Sequence, residues 1–171
     1  MIRSIVLYGD PILKTKLPPL VKNSISREEL LSLVKDLRET MVAHNGVGIA
    51  ANQIGRQERL FLVGIGNTDP NTCFINPEII ERFGESVCKN EGCLSIPGAY
   101  CDSDRYESVT LKWFDHEWKA HQETFDGFFA QIVQHEVDHL NGLLYIDHFK
   151  PLKKQLLIDK YKKHIRQLKK I

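Results

Sequence analysis

Two histidines four residues apart, with a glutamate beside the first, are the side chains of this 171-residue sequence best suited to chemistry. They stand in the stretch Gln134-His135-Glu136-Val137-Asp138-His139. Residues four apart on an α-helix lie about 40° apart around its axis, so His135 and His139 share a face and can hold one metal ion. Glu136 follows the first histidine, where it can take a proton from water as a general base. The plain alternative is a helix with two hydrogen-bonded histidines and a surface acid.

A catalytic metal needs a third protein ligand and an open position. The cysteines are Cys73, Cys88, Cys93 and Cys101, and none forms a C-x-x-C pair. A Cys-only structural zinc site is therefore not expected, and in a chain of this kind the thiols are expected to be reduced. Cys93 is the candidate ligand. It lies in the loop-like run Glu91-Gly92-Cys93-Leu94-Ser95-Ile96-Pro97-Gly98, and its thiolate would bind a metal strongly at neutral pH. Cys73 and Cys88 fall in or at the end of expected strands and look like small buried hydrophobes. On its own, Cys93 reads equally well as a structural thiol.

A second chemical candidate is Gly46-Val47-Gly48-Ile49-Ala50-Ala51-Asn52-Gln53-Ile54-Gly55. Its lack of side-chain bulk lets backbone approach a ligand or another strand. No Lys-Ser/Thr follows, so it is a poor phosphate loop; the plain alternative is a glycine-rich turn.

These residues need elements to hold them. Ser26-Arg27-Glu28-Glu29 is a capping box and opens a helix with Leu30, Leu33, Val34, Leu37 and Met41 on one face. His44-Asn45-Gly46 ends it. Residues 59–66, 73–80, 83–87, 106–114 and 117–125 predict strands, paired antiparallel because the connections are too short for helical crossovers. Asp126-Gly127 starts the metal helix, whose apolar side is Phe129, Val133, Val137 and Leu140. A short strand is expected over 143–146. A last helix is expected from Pro151, packed through Leu152, Leu156, Tyr161, Ile165 and Leu168. Residues 1–25 predict an extended arm or short strand, then a loop. The fold class is α+β: antiparallel sheets around a central H-E-x-x-H helix, with an N-terminal and a C-terminal helix, in a single domain spanning 1–171.

Hydrophobic content of 42% and charged content of 26% suit a soluble globular chain with a core that needs no disulfides. No apolar run approaches the ~18 residues of a membrane helix. The first ten residues lack signal- and transit-peptide features, so a cytoplasmic protein is expected. Net charge is +1, yet residues 150–171 carry nine Lys/Arg against Asp159 alone. That makes a basic appendage on an acidic body. It reads as a packed helix with solvated lysines, or as a surface for nucleic acid.

Three segments, in order, carry a resemblance: Gly46-Val47-Gly48-Ile49-Ala50-Ala51-Asn52-Gln53, then Glu91-Gly92-Cys93-Leu94-Ser95, then Gln134-His135-Glu136-Val137-Asp138-His139. The chain resembles the peptide deformylases, enzymes that remove the N-formyl group from nascent proteins. The resemblance covers nearly the whole chain in length and motif spacing. It implies the same α+β fold, with Cys93, His135 and His139 as metal ligands and Glu136 as general acid/base. Gln53 and the backbone N–H of Leu94 become oxyanion donors. The substrate, an N-formylmethionyl peptide or nascent chain, would lie extended as an added strand on Val47, Gly48 and Gly92. Its methionine would enter a pocket of Val47, Phe128, Ile132 and His135. Iron(II) is the implied native ion, with zinc, nickel or cobalt tolerated. The basic helix at 150–171 would meet ribosomal RNA, and no membrane is involved.

The chain departs from the commoner family pattern at Asn52, where proline is frequent, and at Phe128-Phe129, where leucines are usual. Tyr100 stands where many members carry an arginine near the peptide. Arg105 matches a family arginine and is expected to pair with Asp138 behind the ligands. Two other classes compete: a different metal hydrolase such as a peptidase, and a non-enzymatic metal-binding homologue. The cysteine within E-G-C-L-S argues against the first, and intact Gln53, Cys93, His135, Glu136 and His139 argue against the second.

Overall fold

In a computed structural model, which describes residues 1–65 and 73–170, Ser26 caps helix α1 (Arg27–Ala43) as expected. Ser26 Oγ accepts from Glu29 N at 3.1 Å, and Glu29 returns the bond to Ser26 N at 2.9 Å. The helix buries Leu30, Leu33, Val34, Leu37 and Met41. It stops at His44, and Asn45 takes the left-handed turn at φ 54°.

The strands are β1 (Gly48–Ala50), β2 (Leu60–Val63), β3 (Cys73–Phe83), β4 (Ser86–Glu91), β5 (Cys101–Arg105), β6 (Ser108–Phe114) and β7 (Ala120–Asp126). All pairs are antiparallel. A five-stranded sheet runs β1-β2-β3-β6-β7, and β4 pairs β5 in a separate ribbon. Every residue of β2 is buried because the sheet is covered on both faces. Leu60 and Leu62 face α1, while Phe61 and Val63 face helix α2 (Gly127–Leu140), the period of two expected of a strand. On the α2 side, Ala130, Ile132, Val133, Val137 and Leu140 pack on Phe61, Phe74, Val109, Leu111 and Trp113. Each such side chain contributes roughly 1.5–3 kcal/mol when fully buried, so α2 is held rigidly against the sheet. Arg59 secures its C-terminal end, with Nη1 donating to the Leu140 carbonyl at 2.9 Å and Nη2 to Asn141 Oδ1 at 3.0 Å.

Several sequence expectations shift. The strand expected at 73–80 continues to Phe83, with register breaks around Asn76-Pro77 and Ile79-Glu81 that absorb the proline. The turn falls at Gly84, so β4 reaches Glu91, which had been expected in a loop. Gly66, the expected end of the second strand, lies outside the described residues. Strand β5 was not foreseen: its inward residues are Ser103 and Arg105, which leave no apolar alternation to read. The expected strand at 143–146 is instead a 3-10 turn, Tyr145–His148, with Asp147 Oδ2 accepting from Leu144 N at 2.8 Å. The N-terminal arm forms no strand among the described residues and ends in a 3-10 turn, Pro11–Lys14.

Helix α3 (Pro151–Leu168) has proline in its first turn as expected, but docks on a shifted stripe that keeps only Tyr161 and Ile165 of the expected one. Leu157, Ile158 and Tyr161 are buried, whereas Leu152, Leu156 and Leu168 are exposed. The buried stripe meets Leu13, Ile96, Ala99, Leu144, Tyr145 and Ile146. No helix of the described residues is long and apolar enough to cross a membrane.

Candidate active site

Helix α2 carries His135, Glu136 and His139, and the turn after β4 carries Cys93. Ligand atoms of Cys93, His135 and His139 all lie within 4.8 Å of one another. Cys93 Sγ is 3.2 Å from His139 Nε2. His135 Nδ1 lies 2.7 Å from Glu91 Oε1, a carboxylate acceptor that leaves the other ring nitrogen for the cluster. Burial alone would disfavour the Cys93 thiolate. The charges and hydrogen bonds of His139 and His135 outweigh it and hold the thiol below its ordinary range. A thiolate and two imidazoles converging on one point are the donor set of a transition-metal or zinc site. The residues present therefore fit a divalent ion.

Glu136 is buried, and its Oε2 has no hydrogen-bond partner among the described residues. Burial pushes its carboxyl up to about 7, against the pull of His135 and His139. A buried, unpaired carboxyl group of that basicity is suited to accepting and returning a proton near neutral pH. Gln53 sits in the 3-10 turn Ala51–Ile54 that follows β1. Its Oε1 accepts from Ala50 N at 2.9 Å, which fixes the amide. Its Nε2 then points at Cys93 Sγ, 3.5 Å away, and at Ser95 Oγ, 3.2 Å away.

One cleft of about 1030 Å³ joins these groups. Val47, Gly48, Gln53, Gly92, Cys93, Leu94, Tyr100, Phe128, Ile132, His135 and Glu136 all line it, so it gathers every sequence-predicted site residue except His139, which lies beneath its floor. Gly48 is tight: a Cβ there would stand 2.5 Å from Glu136 Oε1 and 2.8 Å from Ile132 Cγ2. Gly92 is tight as well, because the Tyr100 ring lies flush against it. Phe128 and Phe129 part company. Phe128 faces the cleft, while Phe129 stacks on Phe125 with centroids 4.7 Å apart, so only the first can shape a pocket. Asn52 keeps the turn that proline often makes, and its Nδ2 donates to the His139 carbonyl at 2.7 Å.

Sequence reasoning missed Glu91. The sequence places it only within a loop motif, yet it links the Cys93–His135–His139 cluster to a buried ion network. Arg105 Nη2 reaches Glu91 Oε1 at 2.6 Å, and Arg105 Nη1 reaches Asp138 Oδ2 at 2.7 Å, the second contact being the expected one. Ser103 Oγ donates to Glu91, and His148 Nε2 lies 2.7 Å from Asp138 Oδ2. The signal available in the sequence is only an acid two residues before the cysteine. Gln131, also unforeseen, lines the cleft and donates to Ser86 Oγ at 3.0 Å.

Known proteins carry the same arrangement of chain. The model of the polypeptide deformylase family matches residues 2–155. A peptide deformylase of Cytophaga hutchinsonii is 40% identical over 163 residues, spanning 92% of this chain and 87% of that one. The crystal structure of a peptide deformylase from Legionella pneumophila superposes with a TM-score of 0.92 at 37% identity, over 100% of this chain and 99% of that one. A class I type b peptide deformylase from Acinetobacter baumannii, solved with Met-Ala-Ser bound, gives 0.80 at 33% identity over 87% of this chain and 99% of that one. With the motifs, the fold and relatives matching over most of their length, this chain belongs to the polypeptide deformylase family.

Proposed function

We propose that this enzyme, a hydrolase removing the N-formyl group from the formyl-methionine of new polypeptides, works through Cys93, His135, His139, Glu136, Gln53 and Leu94. The observation that carries the assignment is the convergence of one thiol and two imidazoles beside the unpaired Glu136 carboxyl. Cys93, His135 and His139 would hold one divalent ion, and that ion supplies Lewis acidity at the formyl oxygen and a more acidic water. Glu136 takes the proton as water attacks the formyl carbon, then returns it to the departing amine, releasing formate. The Gln53 side chain and the Leu94 N–H donate to the developing oxyanion. Gln53 arrives already oriented by Ala50, so little reorganisation accompanies the reaction. Iron(II) is our choice of ion, with zinc, nickel and cobalt as substitutes; the soft thiolate and borderline imidazoles accept all four.

Strand β1 is an edge of its sheet, paired only with β2 among the described residues. Its Gly48 lines the same cleft as Gly92, which supports an extended peptide laid along that edge as an added strand. Val47, Phe128 and Ile132, with His135 at the base, would take the methionine side chain, and Tyr100 would bound the peptide at Gly92. We further propose one catalytic domain acting in the cytoplasm, where chains are made. The basic face of α3 would touch ribosomal RNA. Protein purified without air, assayed on formyl-Met-Ala-Ser, its unformylated form and an internal amide, with metal analysis alongside, tests the assignment. Cleavage of the internal amide alone would overturn it. Ribosome co-sedimentation at two salt concentrations, with and without residues 150–171, tests the α3 contact; equal binding by both proteins refutes it.

A further inference from the structure

The two histidines of the cluster are not held alike. His135 Nδ1 lies 2.7 Å from Glu91 Oε1. His139 turns Nε2 towards the cluster, 3.2 Å from Cys93 Sγ, and its Nδ1 is buried with no hydrogen-bond partner among the described residues. A neutral imidazole that ligates through Nε2 carries its hydrogen on Nδ1. That N–H needs an acceptor, which fixes both the tautomer and the angle of the ring.

Asn52 holds the complementary group. Its side chain is fully buried, and its Nδ2 donates to the His139 carbonyl at 2.7 Å. A carbonyl oxygen only accepts, so the amide has one orientation, with its NH2 on His139 and Oδ1 at the other end. That Oδ1 is also buried without a partner among the described residues. An unused acceptor and an unused donor thus belong to two residues already joined by a hydrogen bond, and leaving both unpaired in a dry interior is costly. We propose that Asn52 is the positioning residue of His139, with Oδ1 accepting from Nδ1–H directly or across one bridging water, the counterpart of Glu91 at His135.

One other acceptor competes. Glu136 Oε2, three residues earlier on α2, is buried and unpartnered among the described residues as well. Glu136, however, lines the cleft and lies against Gly48, whereas neither Asn52 nor His139 lines it. The His139 carbonyl also accepts from Gly142 N at 3.1 Å, so the ring, not the backbone, is what depends on Asn52 alone. Asn52 directly precedes Gln53 in the Ala51–Ile54 turn. One short turn then aims the oxyanion donor and steadies the buried end of the cluster, which keeps the two halves of the site in register.

Because this role rests on Cys93, His135 and His139 binding a metal, the first measurements are zinc uptake and deformylation of formyl-Met-Ala-Ser by the full chain. Failure of both overturns the metal site itself, and this role with it. The zinc-loaded protein, isotope-labelled at its histidine nitrogens, should then show a slowly exchanging Nδ1–H resonance from each ligand histidine. Asn52→Ala should lose that of His139, keep that of His135, and raise the zinc dissociation constant about tenfold or more in chelator competition. Asn52→Asp keeps an acceptor, and should restore the resonance and bring the constant to within about threefold of the parent's. Both variants lose the Nδ2 bond, so a role in folding alone would move them together. A protected His139 Nδ1–H in Asn52→Ala, Asn52→Asp behaving as Asn52→Ala, or loss of the signal in Glu136→Ala instead overturns the assignment. So does a parent spectrum with the His139 hydrogen on Nε2, a result that needs no variant to fold.

Discussion

Gly48→Ala adds one carbon at the point where β1 passes α2. The new Cβ would stand 2.5 Å from Glu136 Oε1, and contact becomes ordinary only near 3.4 Å, so the carboxylate must retreat by about 0.9 Å. Ile132 Cγ2, at 2.8 Å, must move as well, and Ile132, on α2, is buried in the core between that helix and the sheet. Overpacking of this kind costs about 1–3 kcal/mol, offset by about 0.4–1 kcal/mol because alanine narrows the unfolded ensemble. A net loss near 1 kcal/mol lowers Tm by roughly 2–4 °C in a chain of this size. The catalytic loss should be larger, because a displacement of about 1 Å in a positioned group costs on the order of 100-fold. Gly48→Ala should therefore keep its metal and its fold yet lose about 100-fold in kcat/KM on formyl-Met-Ala-Ser, mostly in kcat. Steady-state kinetics, a thermal melt and metal analysis on one preparation decide. Activity within threefold of the parent, with the metal retained, would refute the view that Gly48 exists to seat Glu136.

Glu136→Ala should retain the ion and lose turnover by at least 10²-fold, the scale of general acid–base catalysis; deformylation at the parent rate would remove Glu136 from its role. Cys93→Ser exchanges a thiolate for a poor ligand and should shed metal on dialysis against a chelator; metal content equal to the parent's would count against Cys93 as a ligand. Asp147 offers a pH test away from the metal. Burial opposes its ionisation, but Lys14 and Lys154 overcome that and hold its carboxyl below the usual range. Its folded pKa is thus the lower one, so its contribution is complete above the unfolded value near 3.9 and is lost as pH falls through the folded value. Acid titration of stability should be shallower in Asp147→Asn below about pH 4; an identical profile would show the pairs to be inert.

Parts of this molecule are legible because their cause is local. The Ser26–Glu29 box specifies the start of α1 within four residues, and the His135–His139 spacing specifies a shared helical face. Helix α3 shows where locality ends. Its sequence reads as one apolar stripe through Leu152, Leu156, Tyr161, Ile165 and Leu168, but only Tyr161 and Ile165 of that stripe pack on the body, joined by Leu157 and Ile158. That face docks because Leu13, Ile96, Tyr145 and Ile146 are waiting there, partners more than ten residues away that no helical period announces. The 3-10 turn at Tyr145–His148 misleads for a related reason. Leu144, Tyr145 and Ile146 are all buried in succession, which reads as a strand, but the Asp147 carboxylate folds back to cap Leu144.

Strand β5 is the more instructive omission, because its silence and its purpose have one cause. Hydrophobic alternation reveals strands whose inner face packs in a core. The inner face of β5 holds Ser103 and Arg105 instead, and both are spent on Glu91 across the ribbon. Glu91 in turn holds His135, and Arg105 also holds Asp138, one residue before His139. Hydrogen-bonded anions lie on either side of the buried guanidinium, and the pull of Glu91 and Asp138 keeps its pKa raised against burial. Replacing such an arrangement by apolar residues would often be neutral for stability. Its advantage lies in orientation: it fixes one imidazole ring and the helical turn that presents the other. The two histidines visible in the sequence are therefore aimed by a strand that the hydrophobic pattern conceals, and the Cys93–His135–His139 cluster depends on β4 and β5 as much as on α2.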